Sequence, residues 1–376
     1  MEHPQPPKSL HEHLSIISDP RIDRTKDHLL IDTLMIAVLA MLCGAEHFTD
    51  FEDFGKAKRD WLRTFLRLPN GIPSHDTFRR VFSLLDPGHF AEAFRNWTES
   101  LRKAIAQEIV AIDGKTARRS HDRLKDRKAI HVVSAWAREN GLVLGQIKVE
   151  EKSNEITAIP ELLRVLELSG CIVTIDALGA QKTIATEVRN ADADYVLALK
   201  GNHETLHEEV ESFLTDARAR EFKGVEHEYF ESVEKDHGRI ETRRYWISGK
   251  IDWLEDAPQW EDLRSIGMVE RIREIGEETT SEVSFYLCSI APEARLFARA
   301  ARGHWAIENQ LHWSLDVSFH EDQSRVRSGY AAENLNILRH LTLNMLKRDT
   351  TRKRGIKGKQ KNAAWDHSYL LTLLTN

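Results

Sequence analysis

Two short apolar runs, each ending in an aspartate, constrain the fold of this 376-residue chain more than any other feature. The first, in EIVAIDGK, ends at Asp113, and the second, CIVTID, ends at Asp176. A third run, YVLALK at 195–200, has the same character. Runs this short and this apolar predict strands that are buried on both faces, as in the centre of a parallel sheet.

The patterns around these runs predict an α/β fold. Candidate strands at 131–137 and 141–149 are joined by Asn-Gly, a hairpin signal, and candidate helices cover 155–168 and 180–190. The resulting order, β-β-β-α-β-α-β, is typical of a ribonuclease H-like core. We predict a helical N-terminal region at 1–106, core segments at 107–221 and 292–349, a β-rich insertion at 222–291 and a basic C-terminal tail at 350–376.

Composition narrows the class of protein. The first residues have no basic segment leading into an apolar one, and the longest apolar stretch, Leu34 to Cys43, is too short to span a bilayer. The three cysteines are far apart and suggest neither a disulfide framework nor a zinc site. We therefore expect a cytoplasmic protein.

Two basic runs stand out against a net charge of −6. Residues 115–128 carry seven Lys or Arg against two aspartates, and residues 347–361 carry eight against Asp349. Either run alone is typical of a solvated face. Because both lie beside candidate metal ligands in the sequence, contact with DNA phosphates becomes the more attractive interpretation.

Asp113 and Asp176 are the first candidate ligands. Ligands in open α/β sheets gather beyond the carboxyl ends of the strands, which is where both aspartates are predicted. A turn or helix-cap role would be the ordinary explanation for one such residue. Two in matching contexts favour a shared site.

Glu308, in RGHWAIENQLHWSLD, is the candidate third acid. A regular helix would place it on one face with Trp305, Leu311, His312 and Leu315. An ionised acid in an apolar stripe is costly unless it is compensated, either by a nearby Arg or His or by a metal ion. Glu321 and Asp322 are rivals for the same role. Three carboxylates would suit two Mg²⁺ or Mn²⁺ ions about 3.5–4 Å apart, a known arrangement for phosphodiester cleavage.

Six ordered motifs carry a family resemblance. They are LPNGIPSHDTFRRVFSLLDP (68–87), AIDGKTARRS (111–120), TIDALGAQ (174–181), YVLALKGNH (195–203), DHGRIETRRYW (236–246) and HWAIENQLHWSLDVSFHEDQSR (304–325). With these motifs the chain resembles the bacterial insertion-sequence DDE transposases, in the group of the H-repeat-associated proteins. The resemblance implies a ribonuclease H-like core, DNA cleavage at element ends and strand transfer with Mg²⁺ or Mn²⁺, and it places the acidic triad at Asp113, Asp176 and Glu308.

One departure from the family pattern concerns the residues around the glutamate. Related insertion-sequence transposases carry Tyr, Arg and Lys at offsets where this chain has Ala301, His304 and Leu315. His304, with Arg302 close by, could contact phosphate in place of the arginine. Leu315 cannot make the contact of the family's lysine, so the sequence does not decide between a hairpin intermediate and another route of excision.

Further candidates for DNA contact are weaker, because solvated charge or a plain turn explains each about as well. They are Lys115, Arg118, Arg119, Lys200, Asn202, His237, Arg239, Arg302 and His304. Trp305 and Trp313 are predicted as core residues rather than base-stacking platforms.

The sequence thus predicts a metal-dependent DNA transposase that acts on double-stranded DNA, as a homo-oligomer on that DNA, and in association with the nucleoid. Two alternatives stay open: a catalytically inactive or domesticated DNA-binding derivative, and a nuclease without strand transfer.

Overall fold

The N-terminal region is helical in the computed structural model, which describes residues 9–121, 128–150, 153–236 and 238–375. Its helices are α1 (Leu10–Ser15), α2 (Leu30–Leu42), α3 (Phe48–Ala57), α4 (Arg59–Leu62), α5 (His75–Leu84) and α6 (Pro87–Leu101). Ser74 caps α5, because its Oγ accepts the Thr77 N–H at 3.3 Å. The helical segment from residue 48 to 62 is divided between α3 and α4, and Asp50 stabilises the start of α3 by accepting the His47 N–H at 2.8 Å.

The centre of the molecule is one nine-stranded mixed sheet. Its order is β3-β2-β1-β4-β5-β9-β8-β7-β6. The strands are β1 (Ile109–Thr116), β2 (His131–Ala137), β3 (Leu142–Lys148), β4 (Ile172–Ile175), β5 (Asp194–Leu199), β6 (Glu228–Asp236), β7 (Arg239–Ser248), β8 (Ser265–Ile275) and β9 (Glu278–Cys288). β1, β4 and β5 run parallel, and the remaining neighbours are antiparallel.

The β-rich insertion is continuous with the core sheet. β9 pairs antiparallel with β5, so β6 to β9 extend the sheet beyond its parallel centre. The strands predicted for residues 222–291 are confirmed. No sequence pattern indicated that these strands would join the core sheet. Pairing between β5 and β9 depends on contacts between distant segments, which a local pattern does not reveal.

Helices cover both faces of the sheet. α7 (Glu155–Arg164), α8 (Lys182–Asn190) and α9 (Glu204–Ala219) bury the side that includes Ile112 and Val173. α10 (Ala294–Ala306) packs on the opposite side, against Ile109 and Ile172. A side chain on Gly303 would press into Ile109, so this glycine lets α10 lie close to β1. The helix that leads to the predicted glutamate is thereby fixed to the strand that carries Asp113.

The C-terminal segment differs from the predicted basic tail. After α11 (Trp313–Ser318) and α12 (Ala331–Arg348), residues of the supposed tail form α13 (Ile356–Trp365) and α14 (His367–Thr375). Their small and apolar side chains are buried in the core of the N-terminal helices, at Ala363, Leu370 and Leu373. The high basic content of 347–361 had hidden this pattern.

Within the described residues, no helix combines the length and the apolar character that a membrane span requires.

Candidate metal centre

Sheet register brings the first two acids together. Ile112 in β1 pairs with Ile175 in β4, and the strands are parallel. Asp113 and Asp176 follow these partners directly, so they emerge side by side at the same end of the sheet. Each carboxylate accepts a local backbone N–H, Asp113 from Gly114 at 2.8 Å and Asp176 from Gly179 at 3.2 Å.

A π-helical turn positions Glu308. It spans Ile307–His312, between the end of α10 and the start of α11. Such turns are rare in proteins, and those that do occur are often found at functional sites. The turn holds an extra residue, and the side chains that follow it therefore change direction relative to a regular α-helix. Leu311 and Leu315 are buried, whereas the Glu308 side chain is 60% exposed.

The predicted helical face around Glu308 was therefore wrong in part. Trp305 does not share the buried side of Leu311; its ring is 48% exposed and lies under the Arg271 guanidinium at 5.6 Å. Trp313 is 58% exposed. Both tryptophans were expected in the core, and the π-turn between them accounts for the difference.

The Glu308 and Asp113 carboxylates both lie close to the His312 imidazole. The His312 Nδ1 lies 2.8 Å from Glu308 Oε2 and 3.7 Å from Asp113 Oδ2. One ligand atom from each of these three residues lies within 4.8 Å of the other two. The sequence pattern places His312 on an apolar face and does not indicate a ligand role for it. The signal that could have identified it was its spacing, since residues four apart on a helix can share one metal ion, as in HExxH motifs.

The centre carries excess negative charge. Burial raises the pKa of Asp113 to about 6, and the neighbouring carboxylates of Asp176 and Glu155 act in the same direction, against His312 and the Gly114 N–H. Glu155 is held by His131 at 2.6 Å, in the position that a side chain on Gly114 would occupy. The glycine of the Asp-Gly pair thus admits a second carboxylate close to Asp113.

The rival acids belong to a different cluster, which we call the Lys115 network: Lys115, Asp316, Glu321, Asp322 and Arg339. The Lys115 ammonium lies 2.7 Å from Asp316, 3.4 Å from Asp322 and 3.6 Å from Glu321. Glu321 is buried and also faces Arg339 at 3.4 Å and the Asn336 amide at 2.7 Å. These acids already have Lys or Arg partners, whereas the basic neighbours of Asp113, Glu308 and Glu155 are histidines.

The residues predicted to contact DNA near β1 have different surroundings. Lys115 is only 12% exposed within its network. Arg118 is 82% exposed and lies 3.3 Å from Asp322, and Arg119 is exposed as well. Part of the 115–128 run, at 122–127, lies outside the described residues. The DNA contacts of all three residues stay predictions.

The remaining predicted contacts lie on other elements. Lys200 is exposed, and the Asn202 amide donates to the Ala177 carbonyl at 2.7 Å, which ties two loops at the sheet end. His304 packs with its Nδ1 3.2 Å from Thr174 Oγ1, and burial lowers its pKa. Arg239 and Arg302 face Glu241 and Glu234, each at 3.2 Å. His237 lies outside the described residues.

The second basic run is divided between core and surface. Lys347 lies over the Trp136 ring at 4.8 Å, and burial lowers its pKa to about 8. Lys359 is buried and donates to the Leu346 carbonyl at 2.8 Å. Lys353, Arg354 and Lys361 are exposed. Only part of this run is therefore available to phosphates.

The donor set suits a divalent cation. Asp113 and Glu308 supply carboxylate oxygens, which Mg²⁺ and Mn²⁺ prefer, and His312 supplies an imidazole nitrogen. Oxygen ligands lie about 2.0–2.6 Å from such ions, so donor atoms within 4.8 Å of one another can share one. A cation would also offset the excess charge around Asp113.

Comparison with known proteins gives matches along nearly the whole chain. Residues 105–345 match the family described as "Transposase DDE domain", and residues 11–98 match the one described as "DDE_Tnp_1-associated". Two relatives from Escherichia coli (strain K12) are "H repeat-associated putative transposase YhhI", 41% identical over 372 residues, and "Putative protein YbfL", 40% identical over 372 residues. Each match covers 98% of both chains.

Among solved structures, the piggyBac transposase synaptic complex with hairpin DNA aligns with 98% of this chain and 77% of its own, at 10% identity and a TM-score of 0.42. That overall likeness is weak, and the family assignment depends on the sequence matches alone. By those matches, this chain is a member of the DDE transposase family.

Proposed function

We propose that this protein is a metal-dependent DNA transposase that cuts DNA at the ends of a mobile element and joins those ends to target DNA. One observation carries the proposal: Asp113 and Glu308, far apart in sequence, meet in one cluster, with Asp176 beside Asp113. Membership of the DDE transposase family supports it. The strand order β3-β2-β1-β4-β5 also supports a ribonuclease H-like core.

In this proposal Asp113, Asp176 and Glu308 are the catalytic acids and the ligands of two Mg²⁺ or Mn²⁺ ions. Such ions supply positive charge to the attacking and leaving oxygens of a phosphodiester. Asp113 is central because Asp176 and Glu308 lie on different sides of it, one directly after β4 and one on the π-turn.

DNA binding in this proposal depends on exposed basic side chains around the same end of the sheet. Arg118 and Arg119 follow β1, and Lys200 follows β5. The helical residues 11–98, which match a transposase-associated family, are assigned to DNA ends or to a partner subunit. Two ends must be brought together for transposition, so we expect a homo-oligomer to form on double-stranded DNA in the nucleoid.

The test uses the full chain with a labelled duplex that carries the sequences flanking its coding region. With Mg²⁺ or Mn²⁺ we expect cleavage at one defined position and joined products with a target plasmid. Cutting without joining would favour a nuclease. Binding without cutting, under either metal, would favour an inactive derivative.

Variants sharpen the test. Asp113→Asn, Asp176→Asn and Glu308→Gln should each abolish cleavage and leave DNA binding in place, because binding depends on phosphate contacts elsewhere. Asp252→Asn, an exposed aspartate of the inserted strands' connecting loop, is the matched control and should cut normally. Normal cleavage by any of the three acid variants would remove that residue from the proposed site.

A further inference from the structure

We infer that His312 Nδ1 is a metal ligand, which gives this centre a mixed nitrogen and oxygen donor set that favours Mn²⁺ over Mg²⁺. The inference depends on the proposed function, since it takes Asp113 and Glu308 as the other ligands. It adds a residue that the acidic triad does not include, and it adds a preference between two cations.

The first step is the position of the imidazole. His312 Nδ1 lies between the two carboxylates, 2.8 Å from Glu308 Oε2 and 3.7 Å from Asp113 Oδ2. A cation that takes one oxygen from each acid has to lie beside this nitrogen. The three donors fall within 4.8 Å of one another, a separation that one ion can bridge.

The His312 ring is buried, and its hydrogen bonding is one-sided. The His312 side chain is 6% exposed, so it cannot turn away into solvent. Its Nε2 is buried and has no hydrogen-bond partner among the described residues. The hydrogen bond that the ring does make is to Glu308, whose side chain is 60% exposed. The polar contacts of the ring among the described residues thus lie on the side of Asp113 and Glu308.

The third step is the π-turn. Glu308 and His312 are the second and last residues of Ile307–His312. The turn directs both side chains toward Asp113 while Ile307 and Leu311 stay buried on the core side. A regular helix would not have given Glu308 and the apolar residues separate faces at this point. The backbone irregularity is thus explained if both side chains serve the same ion.

The fourth step is chemical. Ligation through Nδ1 uses the neutral ring with its proton on Nε2. Mg²⁺ takes oxygen ligands and keeps its waters, whereas imidazole nitrogen suits transition metals. His312 should therefore contribute more to the binding of Mn²⁺ than of Mg²⁺. We expect His312→Ala to weaken Mn²⁺ binding about tenfold, in the range found when groups supporting a metal site are removed, and to change Mg²⁺ binding much less.

The experiment is pulsed electron paramagnetic resonance of the full chain with one equivalent of Mn²⁺ and no DNA. We expect modulation from a directly bound ¹⁴N, which changes to the ¹⁵N pattern when histidine is ¹⁵N-labelled. The modulation should disappear in His312→Ala. It should also disappear in His312→Asn, where an amide oxygen can replace the nitrogen and Mn²⁺ stays bound.

Two control variants address other histidines near the site. His131→Gln and His304→Asn should keep the ¹⁴N modulation, because neither ring belongs to the cluster around Asp113. Circular dichroism of each variant establishes that it is folded, and His312→Asn serves if His312→Ala is not.

The outcomes separate the two proposals. If Mn²⁺ binds in an Asp113-dependent way but without ¹⁴N modulation, or the modulation survives in both His312 variants, the histidine inference is wrong and the carboxylate centre stands. If Asp113→Asn binds Mn²⁺ as tightly as the unaltered chain, the proposed function fails as well.

Discussion

Two clusters of acids lie close together in this protein and differ in how their charge is compensated. Around Asp113 the carboxylates outnumber their partners, and His312 is the basic group between Asp113 and Glu308. In the Lys115 network each of three acids has a cationic neighbour, Lys115 or Arg339. The number of acids in a cluster therefore does not identify a metal centre. The difference between the two clusters is that the basic neighbours of Asp113, Glu308 and Glu155 are histidines rather than Lys or Arg.

The two clusters share their supporting elements. β1 carries both Asp113 and Lys115, and the helical segment from residue 307 to 323 carries both Glu308 and the acids of the Lys115 network. Lys115 therefore ties β1 to the same segment that presents Glu308. We interpret the Lys115 network as a support that holds the metal centre in register, at a distance from the chemistry.

The largest expected effect is a loss of DNA cleavage, without a loss of stability, when Asp113 is changed. Asp113→Asn removes a ligand, so cleavage should fall about a thousandfold or more, equivalent to about 4 kcal/mol in the barrier. The free energy of unfolding should be unchanged or slightly higher, because the variant removes a charge from beside Asp176 and Glu155. Cleavage rates and urea unfolding of the metal-free protein measure the two quantities. A large loss of stability would place Asp113 among the structural acids.

The next largest expected effect is a loss of stability, and it concerns Glu321. Glu321→Ala leaves Arg339, a buried cation, without its carboxylate, and should lower the free energy of unfolding by about 3 kcal/mol. Thermal unfolding followed by circular dichroism measures it. If Glu321→Ala is as stable as the unaltered chain but does not cut DNA, then Glu321 belongs to the metal centre and Glu308 does not.

A third prediction assigns different roles to Lys115 and Arg119, two residues of the same basic run. Lys115→Met should lower the free energy of unfolding by about 2 kcal/mol, because three acids lose a shared partner. Arg119→Ala should leave stability unchanged and lower the slope of log affinity for DNA against log salt by about 1, as expected for one phosphate contact. Unfolding curves and salt titrations of DNA binding check both. A reduced salt slope for Lys115→Met with normal stability would reverse the two roles.

The smallest effect is expected at Asp322, which lies at the partly exposed edge of the Lys115 network. Asp322→Asn keeps an oxygen that can accept the Arg118 N–H, now at 3.2 Å, and should change the free energy of unfolding by less than about 1 kcal/mol. Cleavage should be near normal. A loss of cleavage comparable to that of Asp113→Asn would return Asp322 to the list of candidate ligands.

Sequence reasoning was most successful where structure is local. The runs ending at Asp113 and Asp176 are strands because short, fully apolar segments bury both faces, and their parallel pairing places the acids at one edge. The Ser74 cap and the strand content of 222–291 follow from equally local patterns.

The features that could not be predicted, at the π-turn and around Lys115, depend on contacts between segments that are distant in sequence. The π-turn at Ile307–His312 shifted the helical face, so Trp305 was placed inside and His312 was not recognised as facing Asp113. Phosphate contact and a solvated side chain were equally good predictions for Lys115, because spacing does not reveal its distant acidic partners, Asp316 and Glu321.

The most direct test of the shared centre is a crystal soaked in Mn²⁺, with anomalous diffraction collected at the manganese edge. We predict an anomalous peak within about 2.0–2.6 Å of carboxylate oxygens of Asp113 and Glu308, on the side of β1 that faces Asp176. A peak among Asp316, Glu321 and Asp322 instead, or a Glu308 side chain directed away from Asp113 in the Mn²⁺-soaked crystal, would contradict the account.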